Sequence, residues 1–232
     1  MNDIFRRVEK KYILNKEQYE QIKKILETKV ISDEYGKSTI CNIYFDTGNY
    51  ELISHSITKP FFKEKIRLRS YNIPNKESIV FLEIKRKADN IVGKRRIGMK
   101  FKDFNKYLED TKSIENSNFQ IKNELDYYFK KYDLSEKMFI AYDREAFYAK
   151  DDRNFRITFD SNIRARNYNL ELDKGTEGEN ILDKDKYVME IKTLGSIPMW
   201  FVKVLDECHI VPGSFSKYGE AYTKLVLKAQ VA

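Results

Sequence analysis

The sequence predicts an α+β protein in which helices pack against an antiparallel sheet. Several segments alternate an apolar residue with a charged one, as in Lys65-Ile66-Arg67-Leu68-Arg69. Because successive side chains of a strand point to opposite faces, such a segment carries charge on one face and apolar side chains on the other. The 16 Tyr and 15 Phe residues also suit a strand-rich protein. With 232 residues, the chain is long enough to bury a hydrophobic core.

Each element follows from its residue period and its turn signals. A strand over about 6–14 runs into Asn15, a good helix N-cap, and apolar residues then recur at helical spacing to about Thr28. Strands with turn residues between them are predicted at about 38–46, 63–71, 78–87, 92–100, 137–150, 153–160, 163–170 and 187–193, with the Asp89-Asn90 turn joining two of them. Helices are predicted at about 104–108, 118–131 and 217–227, and another is opened by Ser196-Ile197-Pro198 with Met199, Val202 and Leu205 facing the fold. No repeat or linker divides the chain, so we expect one domain over 1–232.

Composition restricts the setting and the partners. A net charge of +7 and a pI near 9.1 favour anionic partners without identifying one. Cys41 and Cys208 lie far apart and flank no metal-ligand spacing, which is typical of reduced thiols in the cytoplasm. The first residues lack the apolar stretch of a signal peptide, and no window approaches the roughly 18 to 20 apolar residues that span a bilayer. We therefore expect a cytoplasmic protein without a transmembrane segment.

The charged strand faces have two interpretations. A single charged face is usually just solvated. Arginine, which binds phosphate in a bidentate manner, occurs on several of these faces, namely at Arg67, Arg69, Arg144 and Arg156. If the strands close into a barrel, two cations about 6 Å apart in its lumen repel by roughly 3 kcal/mol at an effective dielectric near 20. A basic lumen is therefore expected to be filled by water or by a polyanion.

Three glutamates share these charged faces. Glu9, Glu83 and Glu190 could hold a divalent cation, because hard carboxylate oxygens suit such ions and phosphate chemistry usually requires one. The alternative is that each glutamate pairs with a neighbouring Lys or Arg. Glu190 is the stronger metal candidate of the three.

The order of these segments resembles the triphosphate tunnel metalloenzymes, specifically the VTC-type polyphosphate polymerase domain. The resemblance runs from about Arg6 to Leu227 and rests on RVEKKY, YFDT, IRLRSY, LEIKRK followed by GKRR, YDREAF, RITFD, VMEIK and SKY. It implies an eight-stranded antiparallel β-barrel tunnel flanked by α-helices, which binds triphosphate with Mn²⁺ or Mg²⁺. It also implies transfer of the ATP γ-phosphate onto a growing polyphosphate chain.

The resemblance assigns roles to individual residues. It implies that Glu190 binds the metal and that Tyr142 lies near the nucleotide base at the tunnel entrance. We expect a catalytic set that fixes the triphosphate for transfer, namely Arg67, Arg69, Lys85, Arg144 and Arg156, and further substrate-binding lysines at Lys11, Lys94, Lys192 and Lys217. Hydrolytic members typically begin with Glu-x-Glu-x-Lys, whereas this chain has Arg7-x-Glu9-x-Lys11. That replacement favours the polymerase branch over a two-metal triphosphatase.

Other functions stay open at this stage. A hydrolase acting on inorganic triphosphate or on an RNA 5′-triphosphate would use the same lumen, and a non-catalytic polyphosphate or nucleotide sensor would bind without turnover. A nucleic-acid partner is not expected, since no aromatic RNA-binding platform or basic helix stands out. The expected partners are ATP, triphosphate and polyphosphate, and the sequence does not identify a membrane-protein partner. His55 and His209 lie in no matching motif, so we expect structural or surface roles for both.

Overall fold

The computed structural model describes residues 7–88, 91–109 and 119–230. Within these ranges the strands are β1 Arg7–Leu14, β2 Val30–Asp46, β3 Phe62–Tyr71, β4 Ile79–Ala88, β5 Ile91–Lys100, β6 Ser135–Ala149, β7 Arg156–Arg166, β8 Glu179–Asn180 and β9 Tyr187–Leu194. The helices are α1 Lys16–Leu26, α2 Glu51–Ile57, α3 Phe101–Glu109, α4 Phe119–Tyr132, α5 Met199–Glu207 and α6 Lys217–Tyr222, followed by a π-helical turn at Thr223–Leu227. The predicted turn at Asp89-Asn90 and the predicted start of a helix at residue 118 lie outside the described residues.

The strands form one sheet in the order β1-β9-β7-β6-β2-β3-β4-β5, with β8 paired to β7. The registers given for β1 with β9, β9 with β7, and β2 through β5 are antiparallel, which confirms the predicted fold class. The closed barrel needs a correction, because among the described residues the strand order begins at β1 and ends at β5 without closing. Alternation along a strand determines which face is buried, but it does not determine whether the two end strands of a sheet pair.

The chain divides into two compact units, and each is built from separate stretches of sequence. Unit 1 comprises Met1–Ser38, Tyr142–Ile163 and Leu182–Ser216, and unit 2 comprises Thr39–Ala141, Arg164–Ile181 and Lys217–Ala232. Strands β2, β6 and β7 each contribute residues to both units. The expectation of one domain over 1–232 stays a prediction.

Unit 1 has its own hydrophobic core between the sheet and two helices. Tyr12 and Leu14 of β1 pack with Ile157 and Phe159 of β7. Helix α1 adds Ile22 and Leu26, and helix α5 adds Phe201, Val204 and Leu205. Asn15 caps α1 as predicted, because its side chain accepts from the backbone N–H of Gln18, whose own side chain accepts from the Asn15 N–H.

The buried face of α5 differs from the prediction. The helix begins at Met199 with Pro198 as its N-cap, and Met199 and Val202 are exposed rather than packed. The buried side chains are Phe201, Val204 and Leu205, which recur at helical spacing. Leu205 alone of the three predicted contacts faces the core, because the sequence offers two overlapping apolar stripes and the bulkier one packs.

Unit 2 buries the apolar faces of β2 to β5 beneath α3 and α4. Its core includes Ile43, Leu68, Leu82 and Ile97 from four adjacent strands. The helices contribute Phe104, Tyr107, Leu125 and Tyr128. In each unit the apolar face therefore packs against helices, as the alternation predicts, and the charged residues occupy the opposite face.

Two remaining expectations concern the surroundings of the protein. Cys41 and Cys208 are both buried, and no disulfide joins them. Across the described part of the chain, no helix is both long enough and apolar enough to cross a membrane.

Candidate active site

Glu83 is the centre of a charged cluster on the polar face of unit 2. The residue is 1 % exposed, and its carboxylate accepts a hydrogen bond from Nε of Arg67 at 2.8 Å. Lys94 Nζ lies 2.7 Å from the other carboxylate oxygen, and Arg69 Nε lies 3.8 Å from the first. These residues meet because β3, β4 and β5 pair in a register that places Arg67 opposite Glu83 and Lys94 opposite Lys85. Three predicted phosphate-binding cations thus surround a single carboxylate.

The electrostatics of Glu83 follow from this arrangement. Burial alone would raise the pKa of its carboxyl group, but Arg67, Arg69 and Lys94 lower that pKa to about 2. Partial burial lowers the pKa of Lys94 to about 8 against the attraction of Glu83. A metal ion at Glu83 would meet the repulsion of three cations. The geometry therefore favours the ion-pair interpretation of Glu83 over its prediction as a metal ligand.

Uncharged groups hold the two arginines in position. Arg67 Nη1 donates to the hydroxyl of Tyr44 at 3.2 Å, and Arg69 Nε donates to the side-chain oxygen of Asn42 at 3.1 Å. Asn42 in turn donates to the backbone carbonyl of Ile140. Asn42 and Tyr44 lie on β2 on the face opposite to its core residues. Sequence reasoning missed both, although the alternation in Cys41-Asn42-Ile43-Tyr44-Phe45 could have revealed them.

The SKY motif fixes the start of α6 against this cluster. The ring of Tyr218 stacks on Tyr44 with centroids 4.6 Å apart, and its hydroxyl donates to Asp46 at 3.0 Å. Asp46 also accepts from the backbone N–H groups of residues 47, 52 and 53, so it holds the first turn of α2 as well. Lys217 is half-buried at the first position of α6. Because its neighbour Tyr218 is fixed by these contacts, Lys217 also has a defined position in unit 2.

Lysines continue the polar face of unit 2 along β3 and β4. Lys65 lies opposite Lys85, and Lys63 lies opposite Lys87. Partial burial, followed by the charges of Lys87, Lys59 and Lys85, lowers the pKa of Lys63. A row of like charges is unfavourable unless an anion compensates it. Lys85 therefore lies in surroundings that suit the phosphate-binding role predicted for it.

Arg144 forms a bidentate ion pair in unit 1. Its Nε and Nη2 donate to the two carboxylate oxygens of Asp160 at 2.6 and 2.7 Å, and Asp160 is fully buried. Although burial disfavours the charged form, Asp160 and other negative neighbours raise the pKa of Arg144 well above its usual value. Sequence reasoning missed Asp160, which follows Arg156 and Thr158 on the same face of β7. The bidentate pair fixes the plane of the guanidinium group.

Tyr142 lies beneath this guanidinium group and not at an open entrance. The Arg144 guanidinium carbon is 5.1 Å from the Tyr142 ring centroid, and the tyrosine is 1 % exposed. A residue so enclosed offers no free ring face on which a nucleotide base could stack from solvent. This burial favours packing of Tyr142 against Arg144, and the contact with a nucleotide base stays a prediction.

Arg156 and Lys192 lie side by side on β7 and β9. They are register partners, and Lys192 is also the register partner of Glu9 on β1. Arg156 Nη2 pairs with Asp33 at 3.1 Å, and its guanidinium lies over the ring of Tyr148. Asp33 lies outside every motif and could not be identified from local sequence.

Glu190 and Glu9 bring two carboxyl groups together. They share a hydrogen bond, and Glu190 lies opposite Lys11 in the register of β9 and β1. Burial opposes the charge on Glu190, but the hydrogen bond with Glu9 and the cations Lys192, Lys11 and Arg144 hold its pKa well below the usual range. Lys11 donates to the carbonyl of Phe215 at 3.0 Å, which joins β1 to the segment before α6.

This carboxyl pair fits a divalent cation. Two neighbouring carboxylate groups can bind the same divalent cation. Glu190 Oε1 is buried without a hydrogen bond, and Lys192 Nζ lies 3.3 Å away. Among the described residues no group of three or more His, Cys, Asp or Glu side chains is gathered in a metal-binding arrangement. Mg²⁺ and similar ions commonly use one or two carboxylates and complete their shell with water and phosphate oxygens.

The charge balance differs between the two units. In unit 2, Arg67, Arg69 and Lys94 surround the single carboxylate of Glu83. In unit 1 the described cations Lys11, Arg144, Arg156 and Lys192 lie among four described carboxylates, namely Glu9, Asp33, Asp160 and Glu190. The unit 2 cluster is thus suited to an anion, and the carboxyl pair of unit 1 is suited to a cation.

The fold is similar to that of several solved proteins. A candidate adenylyl cyclase from Hippeastrum, described as having a dominant triphosphatase activity, matches with a TM-score of 0.55 at 13 % identity over 94 % of this chain and 96 % of the other. A candidate adenylate cyclase from Bacillus halodurans gives a TM-score of 0.55 at 13 % identity over 90 % and 93 %. One from Vibrio parahaemolyticus gives 0.51 at 13 % identity over 92 % and 96 %. At these identities the likeness establishes the fold alone.

A family model identifies the chain more closely. The model for the VTC domain matches residues 6–226, nearly the whole sequence. The chain therefore belongs to the VTC domain family, which confirms the resemblance drawn from the order of its motifs. No curated protein matches the chain.

Proposed function

We propose that this protein is a metal-dependent polyphosphate polymerase that transfers the γ-phosphate of ATP to a growing polyphosphate chain. The observation that carries the proposal is the match to the VTC domain over residues 6–226. The cation-rich face of unit 2 supports a polyanionic substrate independently of the family. The residue roles given below belong to the same proposal.

The phosphates are held mainly by the cations of unit 2. Arg67 and Arg69 are kept in fixed orientations by Glu83, Tyr44 and Asn42 before any ligand arrives. Such preorganisation lowers the entropy that binding must overcome. Lys85, Lys94 and Lys217 add charge without a rigid geometry, which suits a chain of identical phosphates.

Glu190 and Glu9 in unit 1 would hold the metal. A bound Mn²⁺ or Mg²⁺ supplies charge neutralisation for the phosphate oxygens, as is usual in phosphoryl transfer. Lys11 and Lys192 hold Glu190 in its ionised form. Arg144 and Arg156 are fixed by Asp160 and Asp33 and offer their remaining N–H groups to phosphate.

The chemical step transfers a phosphoryl group between two phosphates. An oxygen of the terminal phosphate of the polyphosphate chain forms a bond to the γ-phosphorus, and the bond from that phosphorus to the oxygen it shares with the β-phosphorus breaks. ADP departs with the electron pair, and the chain grows by one phosphate. Because the attacking oxygen is already anionic, no general base is required. The exposed positions of His55 and His209 agree with this.

The first strand distinguishes polymerase from hydrolase in this proposal. Arg7 stands where the hydrolytic pattern has a glutamate, so the first strand supplies one carboxylate, Glu9, instead of two. With one carboxylate fewer, the site is better suited to one metal ion than to two. A second metal ion that activates water for hydrolysis is therefore disfavoured. The extra cation suits a longer anion.

A triphosphatase is the second candidate. The specific observation in its favour is the similarity in fold to the Hippeastrum protein described with triphosphatase activity. In that case the acceptor is water and the product is orthophosphate. A non-catalytic polyphosphate or nucleotide sensor would bind its ligand tightly in the presence of each metal and would form no product.

Product analysis separates these functions. The protein is incubated with ATP and Mn²⁺, and the products are resolved on a polyacrylamide gel stained for polyphosphate. A ladder of lengthening chains is expected. Orthophosphate from ATP or tripolyphosphate without chain growth would establish the hydrolase, and binding without any product would establish the sensor.

Variants test the residue roles in the same assay. Arg67→Ala should weaken tripolyphosphate binding by about tenfold or more, because it removes a charge-assisted contact. Arg153→Ala is the matched control, because Arg153 lies in the exposed turn between β6 and β7. Equal affinities of the two variants would contradict the role given to Arg67.

A further inference from the structure

One end of unit 2 combines exposed apolar side chains with lysines. Phe61 is 75 % exposed and Phe62 is 43 % exposed where β3 begins. Ile57 at the end of α2 and Val92 near the start of β5 are also exposed, at 41 % and 44 %. We define these four residues, together with Lys59, Lys63 and Lys87, as the aromatic-basic patch.

The register and one hydrogen bond place the patch residues at the same end of the strands, although Phe62 shares the face of Glu64 whereas Lys63 and Lys87 lie on the polar face. Lys63 lies opposite Lys87, and Lys87 lies opposite Val92, so these three form a row across β3, β4 and β5. The imidazole Nε2 of His55 lies 3.2 Å from the carbonyl oxygen of Phe62, which joins the end of α2 to the start of β3. Scattered exposed apolar residues are ordinary on a protein surface, but exposed aromatic side chains and lysines gathered at one end of a sheet indicate a partner.

Lys59, Lys63 and Lys87 give the described part of this region a positive charge. Partial burial lowers the pKa of Lys63, and the positive charges of Lys87 and Lys59 lower it further. Glu64, the carboxylate within these strand ends, points to the opposite face, is buried, and accepts hydrogen bonds from Tyr128 and Tyr132. The sequence adds Asp89, which lies outside the described residues. The lysines therefore keep their net charge at the surface.

We propose that the aromatic-basic patch docks the protein on the surface of an anionic lipid bilayer. Aromatic rings bury themselves at the boundary between headgroups and acyl chains, while lysines extend toward anionic headgroups. A free polyphosphate chain would account for the lysines, but it would leave Phe61 and Phe62 facing water. The bilayer surface satisfies both kinds of side chain. Lys63 and Lys87 continue the polar face to which the proposed function assigns the phosphates, whereas Ile57, Lys59, Phe61, Phe62 and Val92 have no role in that function.

Sedimentation with lipid vesicles tests the docking. The protein is mixed with vesicles of phosphatidylcholine alone, and with vesicles in which about a third of the lipid is phosphatidylglycerol. Wild-type protein should sediment with the anionic vesicles and stay in solution with the neutral ones. The combined variant F61S/F62S should bind anionic vesicles at least about tenfold more weakly than the wild type, because it removes the side chains that enter the interface. Equal binding of this variant and the wild type would overturn the proposal.

Two matched controls distinguish binding through the patch from nonspecific hydrophobic adsorption and from nonspecific electrostatic attraction. Phe119→Ser removes an aromatic side chain that is 70 % exposed on α4 and should leave vesicle binding unchanged. Lys59→Glu should weaken binding about fivefold or more, whereas Lys24→Glu, which changes the net charge equally on exposed α1, should not. Equal losses for the two charge reversals would show nonspecific electrostatic attraction and overturn the docking site.

Further measurements exclude other occupants of the surface. F61S/F62S should bind tripolyphosphate and turn over ATP as the wild type does, so failure of the docking would leave the proposed function untouched. A loss of tripolyphosphate affinity would assign the patch to a polyanion instead. A smaller mass than wild type in light scattering would assign it to contacts between copies of the chain. Thermal unfolding verifies that the F61S/F62S variant is folded. If it is not folded, the single variant Phe61→Ser is used in its place.

Discussion

Replacing Glu83 with glutamine is expected to destabilise the folded protein and to make it more responsive to triphosphate. The substitution keeps the size of the side chain and removes one negative charge. Arg67, Arg69 and Lys94 would then repel each other around an uncharged amide. A polyanion bound on this face would restore the missing negative charge.

The lowered pKa of Glu83 gives the expected loss of folding stability. A carboxyl pKa that falls from 4.5 in the unfolded chain to about 2 in the folded protein corresponds to about 3 kcal/mol of stability at neutral pH. Because the folded-state pKa is the lower one, this stability is present above pH 4.5 and is lost as the pH falls toward 2. The free-energy difference between wild type and Glu83→Gln should therefore be largest near neutral pH and should shrink across that acid range.

Denaturant unfolding at several pH values, with and without tripolyphosphate, measures both effects. Tripolyphosphate should raise the stability of Glu83→Gln more than that of the wild type. Glu77→Gln is the control: Glu77 also has its pKa lowered to about 2, by Lys102 and Lys100, but its side chain is 60 % exposed, so we expect no measurable loss. A loss below about 0.5 kcal/mol for Glu83→Gln, or equal stabilisation of both proteins by tripolyphosphate, would refute the interpretation of Glu83 as an internal counter-ion.

Three further substitutions test the other contacts. Arg144→Lys keeps the charge but cannot reproduce both bonds to Asp160, so unfolding should become easier by about 2 kcal/mol in denaturant, and stability equal to wild type would contradict the importance of the bidentate geometry. Tyr218→Phe removes the hydroxyl that donates to a buried carboxylate and should cost about 1 to 2 kcal/mol in the same assay, whereas an unchanged midpoint would show that the contact contributes little. Glu190→Gln should abolish turnover and lower Mn²⁺ affinity in a calorimetric titration while tripolyphosphate binding falls less, and unchanged Mn²⁺ affinity would exclude Glu190 as a ligand.

The sequence was sufficient to predict the charged faces but not their internal pairing. Alternation in Lys65-Ile66-Arg67-Leu68-Arg69 states directly which side chains share a face, because the period of a strand is two residues. The partners Asp33 and Asp160 depend on which strands are neighbours and in what register, and both are set by contacts distant in sequence. For the same reason the sequence could not show that Glu83 is enclosed by three cations whereas Glu190 meets Glu9.

Helix packing shows a similar limit. The period of α5 allowed two apolar stripes, one through Met199 and Val202 and one through Phe201 and Val204. Only the shape of the core of unit 1 selects the second. Tyr142 was likewise placed on the correct face by its position two residues before Arg144, but its burial beneath the guanidinium group depends on tertiary packing.

Phosphorus NMR of the protein with ATP and Mn²⁺ or Mg²⁺ tests the central claim most directly. The account predicts a growing signal from internal phosphates of a polymer, in step with the formation of ADP and with little orthophosphate. A signal from orthophosphate that rises in step with ADP, without internal phosphates, would contradict the polymerase and establish a hydrolase.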